Sequence, residues 1–237
     1  ALVQQEIARP LGLDGLYIGA PSREIKRAAQ LMIGQGTRRL SQTSFGSKLE
    51  VQVSNFSKLM RALGRDSDLS SIFDALAPRG VSDFDFGSPE SLRAAIPAAN
   101  GLFTARSLAK MYATLANGGE FEGVRLLSAG ALEQATTLQR PTGRLSVIPF
   151  DMRWRLGYHG VATTRGFPQQ AFGHFGFGGS GAWADPERDL SVALIVNSGL
   201  GSPFGDLRTA RISGAALSCA NARSRTAGLL KGSLALA

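Results

Sequence analysis

Cysteine and histidine are scarce in this chain. One cysteine, Cys219, excludes an intrachain disulfide and fits a reducing compartment. Two histidines and that single cysteine are too few for a zinc site of the His/Cys type. No run of about 18 apolar residues occurs, so no transmembrane helix is expected. These residues open on no basic-then-apolar leader, and the expectation is a cytoplasmic location. No basic run is interleaved with aromatics, as a single-stranded nucleic-acid platform requires. The net charge is nevertheless +8. Half of that excess lies in the last 38 residues, where Arg208, Arg211, Arg223, Arg225 and Lys231 face Asp206 alone. A solvated, arginine-rich surface explains it, and nucleic acid is not expected as a partner.

What is present is a globular composition. The 237 residues are 43% apolar and 19% charged, enough for one sizeable domain or two small ones. The densest signal is Phe172-Gly173-His174-Phe175-Gly176-Phe177-Gly178-Gly179-Ser180-Gly181-Ala182-Trp183-Ala184. Five glycines in that stretch imply unusual dihedrals or close approach by another backbone or a ligand. His174, one of the two histidines, lies inside it.

Apolar spacing at Leu2, Val3 and Ile7 predicts an opening helix that Pro10 and Gly12 end. Residues 23–33 read as helix, 37–58 show no period, and 70–76 read as a short helix broken at Pro78-Arg79-Gly80. Residues 82–87 read as a loop and 89–95 as another short helix. Thr104 is a good N-cap, with Phe103 and Leu108 as a hydrophobic staple and Leu108, Met111, Tyr112 and Leu115 on one helical face. Asn117-Gly118-Gly119 ends that helix. A hairpin turning at Glu122-Gly123 follows, and Ser128 caps the next helix. The glycine-rich stretch reads as a strand, 181–184 as a second and 190–196 as a third, joined by a turn at Asp185-Pro186. Short connections make the three antiparallel. The third is apolar on both faces and is expected to be central. Asp206 caps a last helix expected to run to about Ala220.

Three motifs invite a chemical reading. Gly176-Phe177-Gly178-Gly179-Ser180-Gly181 spells the dinucleotide fingerprint, but Pro186 and a strand follow where a helix must open. Gly178-Gly179-Ser180-Gly181-Ala182 fails the nucleophile elbow at its last position. Ser107-Leu108-Ala109-Lys110 is the only S-x-x-K, a spacing that lets a lysine take a serine proton within one helical turn. A serine and a lysine one turn apart on a capped, packed helix is the competing, structural reading.

The segment Asn100-Gly101-Leu102-Phe103-Thr104-Ala105-Arg106-Ser107-Leu108-Ala109-Lys110-Met111-Tyr112 resembles a helix of the serine β-lactamase-related family. That family includes class C β-lactamases, penicillin-binding-protein-like carboxypeptidases and EstB-like esterases. Ile7-Ala8-Arg9-Pro10-Leu11-Gly12-Leu13 is similar to the segment that follows the family's second motif. Gly173-His174-Phe175-Gly176 is similar to its third, K-T-G or H-x-G, and Ala184-Asp185-Pro186-Glu187 to the turn beyond. The likeness spans about residues 1–220.

The resemblance implies a β-lactamase/transpeptidase-like α+β fold, with an antiparallel sheet packed by helices and incomplete at its amino-terminal side. It implies no cofactor and no metal, and an ester or β-lactam-like small-molecule substrate. A serine in S-x-x-K attacks the carbonyl while lysine and the tyrosine of Y-x-N manage its proton. His174, Phe175, Gly176 and Phe177 are then the substrate-binding residues, with the Phe177 N–H as oxyanion donor.

Tyr17, Tyr112 and Tyr158 open no Y-x-N, and Ser107/Lys110 falls on a helix the family uses structurally. The expectation is therefore a chain truncated before its nucleophile and inactive alone. In this reading residues 1–99 form a helical and loop segment, 100–220 carry the H-x-G motif, and 221–237 are a flexible basic tail. A non-catalytic ligand-binding module and a basic interaction protein are the alternatives.

Overall fold

The computed structural model describes residues 2–33, 84–139, 151–176, 178–199 and 206–234. The aperiodic stretch 37–58, the helix expected at 70–76 and Phe177 lie outside them. The opening helix ends in a π-type segment, Gln4–Ala8, with Ala8 buried. After it come β1 (Leu16–Ile18), the one-turn α1 (Ser22–Ile25) and β2 (Met32–Ile33). The longer helix expected over 23–33 is thus a single turn. Met32 gives its N–H to the Asn197 carbonyl (2.6 Å) instead of to a helical turn.

Next are α2 (Pro89–Arg93), β3 (Gly101–Phe103) and α3 (Ala105–Ala116). Thr104 caps α3, its hydroxyl accepting from the Ser107 N–H at 3.2 Å. β4 (Glu120–Phe121) and β5 (Val124–Arg125) form the expected hairpin, with Glu122 and Gly123 both at positive φ. α4 (Ala129–Thr136) is capped by Ser128.

Four antiparallel strands follow in spatial as well as chain order: β6 (His159–Gly160), β7 (Phe172–Phe175), β8 (Gly181–Asp185) and β9 (Leu190–Leu194). The last elements are β10 (Ser198–Gly199), parallel to β2, and α5 (Leu207–Leu234), which continues past the expected end near Ala220.

The sheet lies between two helices. On one face, Ala182 and Ala184 of β8 and Phe172 of β7 cluster with Leu108, Tyr112 and Leu115 of α3. Alanine on the strand lets α3 approach closely. On the other face Trp183 is fully buried beneath α5, and its indole N–H donates to Ser213 Oγ at 3.0 Å.

β8 is therefore the central strand, with residues 182–185 all buried. The expectation that the apolar run of β9 is central is corrected: among the described strands β9 is outermost. Its apolar residues at successive positions answer to helices packed on the sheet, not to strands on both sides.

Candidate functional site

Two of the glycines of β7 and β8 are there because the facing strand leaves no room for a Cβ. Gly173 stands opposite Trp183, and Gly181 opposite Phe175. A Cβ on Gly173 would lie 2.5 Å from Trp183 Cβ, and one on Gly181 would lie 2.6 Å from Phe175 Cδ1. In each case the nearest atom is a backbone carbonyl oxygen, that of Ala182 or of His174, at 2.2 Å. Gly176 differs, because among the described residues a Cβ there would meet nothing closer than the Ser180 carbonyl at 3.5 Å, an ordinary contact.

The turn beyond β7 is closed from within. Gly176 N–H donates to the Ser180 carbonyl (2.7 Å), and Gly179 N–H to the Gly176 carbonyl (3.1 Å). Gly178 and Gly179 hold φ of 109° and 98°, which side-chain-bearing residues rarely adopt. Thr209 of α5 fastens the turn by donating its hydroxyl to the Gly179 carbonyl (2.9 Å). Ser180 Oγ accepts from Val196 N–H (2.9 Å) and donates to the Val196 carbonyl (3.1 Å), so this hydroxyl is committed.

His174 is exposed at the end of β7, and no hydrogen-bond partner for its ring nitrogens is found among the described residues. Desolvation by the surrounding protein pushes its imidazole below the ordinary value, so it is neutral at pH 7. The ring of His159 stands 5.2 Å away, nearly edge-on at 61°. His159 is buried, at 6% exposure. Its Nδ1 lies 2.8 Å from the Gly160 carbonyl, and the Phe175 N–H donates to its Nε2 at 3.3 Å. Those two partners require the neutral tautomer protonated at Nδ1. Burial is the largest cause holding its pKa down.

The chain's two histidines thus meet, although only His174 was singled out from the sequence. No sequence signal paired them, because His159 lies on β6, His174 lies on β7 and their contact follows from the register of the two strands. Phe175 does not share the face of His174; its side chain packs with Val161, Ala171 and Trp183.

Ser107 and Lys110 line an open cavity of about 570 Å³ with Gly12, Leu13, Asp14, Thr104 and Arg106. Both groups are engaged. Ser107 Oγ donates to the Asp14 carbonyl (2.6 Å), and Lys110 Nζ pairs with Glu122 Oε2 (2.6 Å). On α3 it is Tyr112, not Ser107, whose hydroxyl meets the His174 backbone. Ideal helix geometry puts Ser107 about 7.5 Å along the axis and about 140° around it from Tyr112. Burial pushes the Tyr112 phenol well above its ordinary value, so it stays protonated at neutral pH. Among the described residues no cluster of three or more His, Cys, Asp or Glu could hold a metal ion, and no helix is long and apolar enough to cross a membrane.

Residues 1–217 match the protein family described as Beta-lactamase. "Esterase/beta-lactamase LipL" of Mycobacterium tuberculosis (strain ATCC 25618 / H37Rv) is 35% identical over 202 residues, 83% of this chain and 42% of the relative. Among solved structures, a penicillin-binding protein homologue from Caulobacter crescentus superposes with a TM-score of 0.68 at 30% identity, over 92% of this chain and 51% of the other. A family VIII carboxylesterase superposes with a TM-score of 0.62 at 26% identity, over the same shares. The chain spans about half the length of these relatives, or somewhat less.

Proposed function

This chain belongs to the β-lactamase family, and from that premise we propose that the open end of β7 is the carbonyl-orienting wall of an ester- or β-lactam-hydrolysing site. Neutral His174 donates a hydrogen bond to the substrate carbonyl or to the group beside it. Gly176 leaves the space next to the strand free for the acyl portion. The observation that carries this reading is the pairing of an imidazole that has no hydrogen-bond partner among the described residues with a glycine whose missing side chain no described neighbour requires. A glycine weakens a strand end, so its presence without an internal reason favours space kept for a ligand.

The attacking serine is proposed to come from outside these 237 residues. Engagement of Ser107 by Asp14 and of Lys110 by Glu122 supports this, as does the lack of any Y-x-N in the sequence. In the chemistry that the family resemblance implies, serine Oγ adds to the carbonyl carbon, and its proton passes to a lysine or tyrosine partner. The collapsing tetrahedral intermediate expels the alcohol or amine, which takes that proton. Water then hydrolyses the acyl-enzyme by the same route.

The test is hydrolysis of p-nitrophenyl butyrate and nitrocefin by the 237-residue chain, alone and within its full coding sequence. No turnover is expected from the chain alone. Turnover is expected in the longer context if that context supplies S-x-x-K and Y-x-N, falling about a hundredfold in His174→Ala. Turnover by the 237 residues that disappears in Ser107→Ala would contradict the assignment.

A further inference from the structure

We infer that His159 is a positioning residue for this site, holding the free edge of β7 and setting the ring of His174. The inference rests on the reading of that strand end as a carbonyl-binding wall.

β6 contributes only two residues, so it covers β7 at Phe172 and Gly173 and no further. Donors alternate sides along a strand. Gly176 N–H points to β8, where Ser180 accepts it, so Phe175 N–H points away from β8, to the side that β6 has stopped covering. An uncovered edge N–H must find another partner or water. Here the partner is a side chain: the Phe175 N–H donates to His159 Nε2 at 3.3 Å.

His159 suits that task because its ring is fixed from several sides. Its Nδ1 is held by the Gly160 carbonyl, which leaves the Nε2 lone pair directed at β7. Trp154 stands edge-on at 5.9 Å and 88°, and Phe175 lies 5.9 Å away. The titratable or charged groups near it among the described residues are His174 from β7 and Arg155 from its own segment. Arg155 is buried and occupied, donating to the carbonyls of Thr136, Arg153 and Gln169.

A second proton on His159 would face the Phe175 N–H, so the hydrogen bond exists only with the neutral ring. His174 has no hydrogen bond of its own to orient it among the described residues. Its ring is exposed, and the imidazole it meets is that of His159. Moving His159 therefore frees the last backbone donor before Gly176 and releases the ring proposed to meet substrate.

The experiment is an NMR titration of the 237-residue chain with ethyl butyrate, following the His174 ring signal and the Phe175 amide. His159→Phe keeps a ring and loses the acceptor; His159→Gln keeps an acceptor. Wild type is expected to show a saturable His174 shift that His174→Ala abolishes. Binding is expected to weaken by about fivefold in His159→Phe, the effect of one net hydrogen bond, and to stay within about twofold in His159→Gln. Phe175 amide exchange is expected to accelerate in the Phe variant only. A wild-type shift that His159→Phe leaves unchanged, or that Gln fails to restore when the variant is folded, overturns the inference and leaves the wall reading intact. The absence of any shift in wild type removes the wall reading, and this inference falls with it.

Discussion

At Gly173 and Gly181 a Cβ would lie 2.2 Å from a carbonyl oxygen of the facing strand, with no room for a methyl group, whereas at Gly176 it would make an ordinary 3.5 Å contact with the Ser180 carbonyl. The two kinds of glycine predict opposite mutational behaviour. Gly173→Ala overpacks against Trp183 and is expected to destabilise by about 1–3 kcal/mol in urea unfolding. Gly176→Ala is expected to change stability by less than about 0.5 kcal/mol while weakening ester binding. The glycine density was legible in the sequence; the division of labour was not, because it depends on which residue stands across the sheet.

His159 sets a pH dependence. Its folded pKa lies below the ordinary 6.5, so below that pH the unfolded chain binds more protons than the folded one. Its contribution is fully present above the unfolded pKa and declines as pH falls toward the folded value, by at most about 1.4 kcal/mol per pH unit. The urea midpoint is expected to drop on going from neutral to mildly acidic pH, and to drop less in His159→Gln. Sequence spacing could not pair the two histidines, since their contact arises from the β6–β7 register.

At the scale of elements, side-chain caps and tight turns were the legible part. Thr104, Ser128 and Glu122-Gly123 each act through neighbours within three residues, and each stands where local chemistry puts it. Long-range pairing was not legible. β1 and β3 are three residues each and pair across 85 positions of sequence, and β2 joins β10 across more than 160. β9 was placed at the centre of the sheet by its apolar run, while the true centre, β8, hid behind two alanines and a glycine.

Thr104 joins α3 to the preceding chain as well as capping it, because its hydroxyl also reaches the Asp14 carbonyl (3.0 Å). Thr104→Ala is expected to cost about 1–2 kcal/mol in thermal unfolding. At the other end of the sheet, fully buried Asp185 holds Arg188 (2.8 Å), which bonds Asn221 of α5 (2.8 Å). Asp185→Ala leaves that guanidinium only the exposed carboxylate of Glu187 (3.0 Å). It is expected to destabilise toward the lower end of the roughly 3–5 kcal/mol seen for broken buried pairs, since Arg188 keeps some solvent.

For the whole molecule, the β-lactamase-like fold places a helix on each face of an antiparallel sheet and leaves the end of β7 accessible. Ser107 and Lys110 hold α3 to its surroundings, while His174 and Gly176 are the residues proposed to meet a carbonyl. Intact-mass spectrometry of the 237-residue chain after incubation with p-nitrophenyl butyrate separates these roles most directly. The predicted result is an unmodified mass, with the wall present and the nucleophile elsewhere. A butyryl adduct mapping to Ser107, and absent from Ser107→Ala, would contradict it.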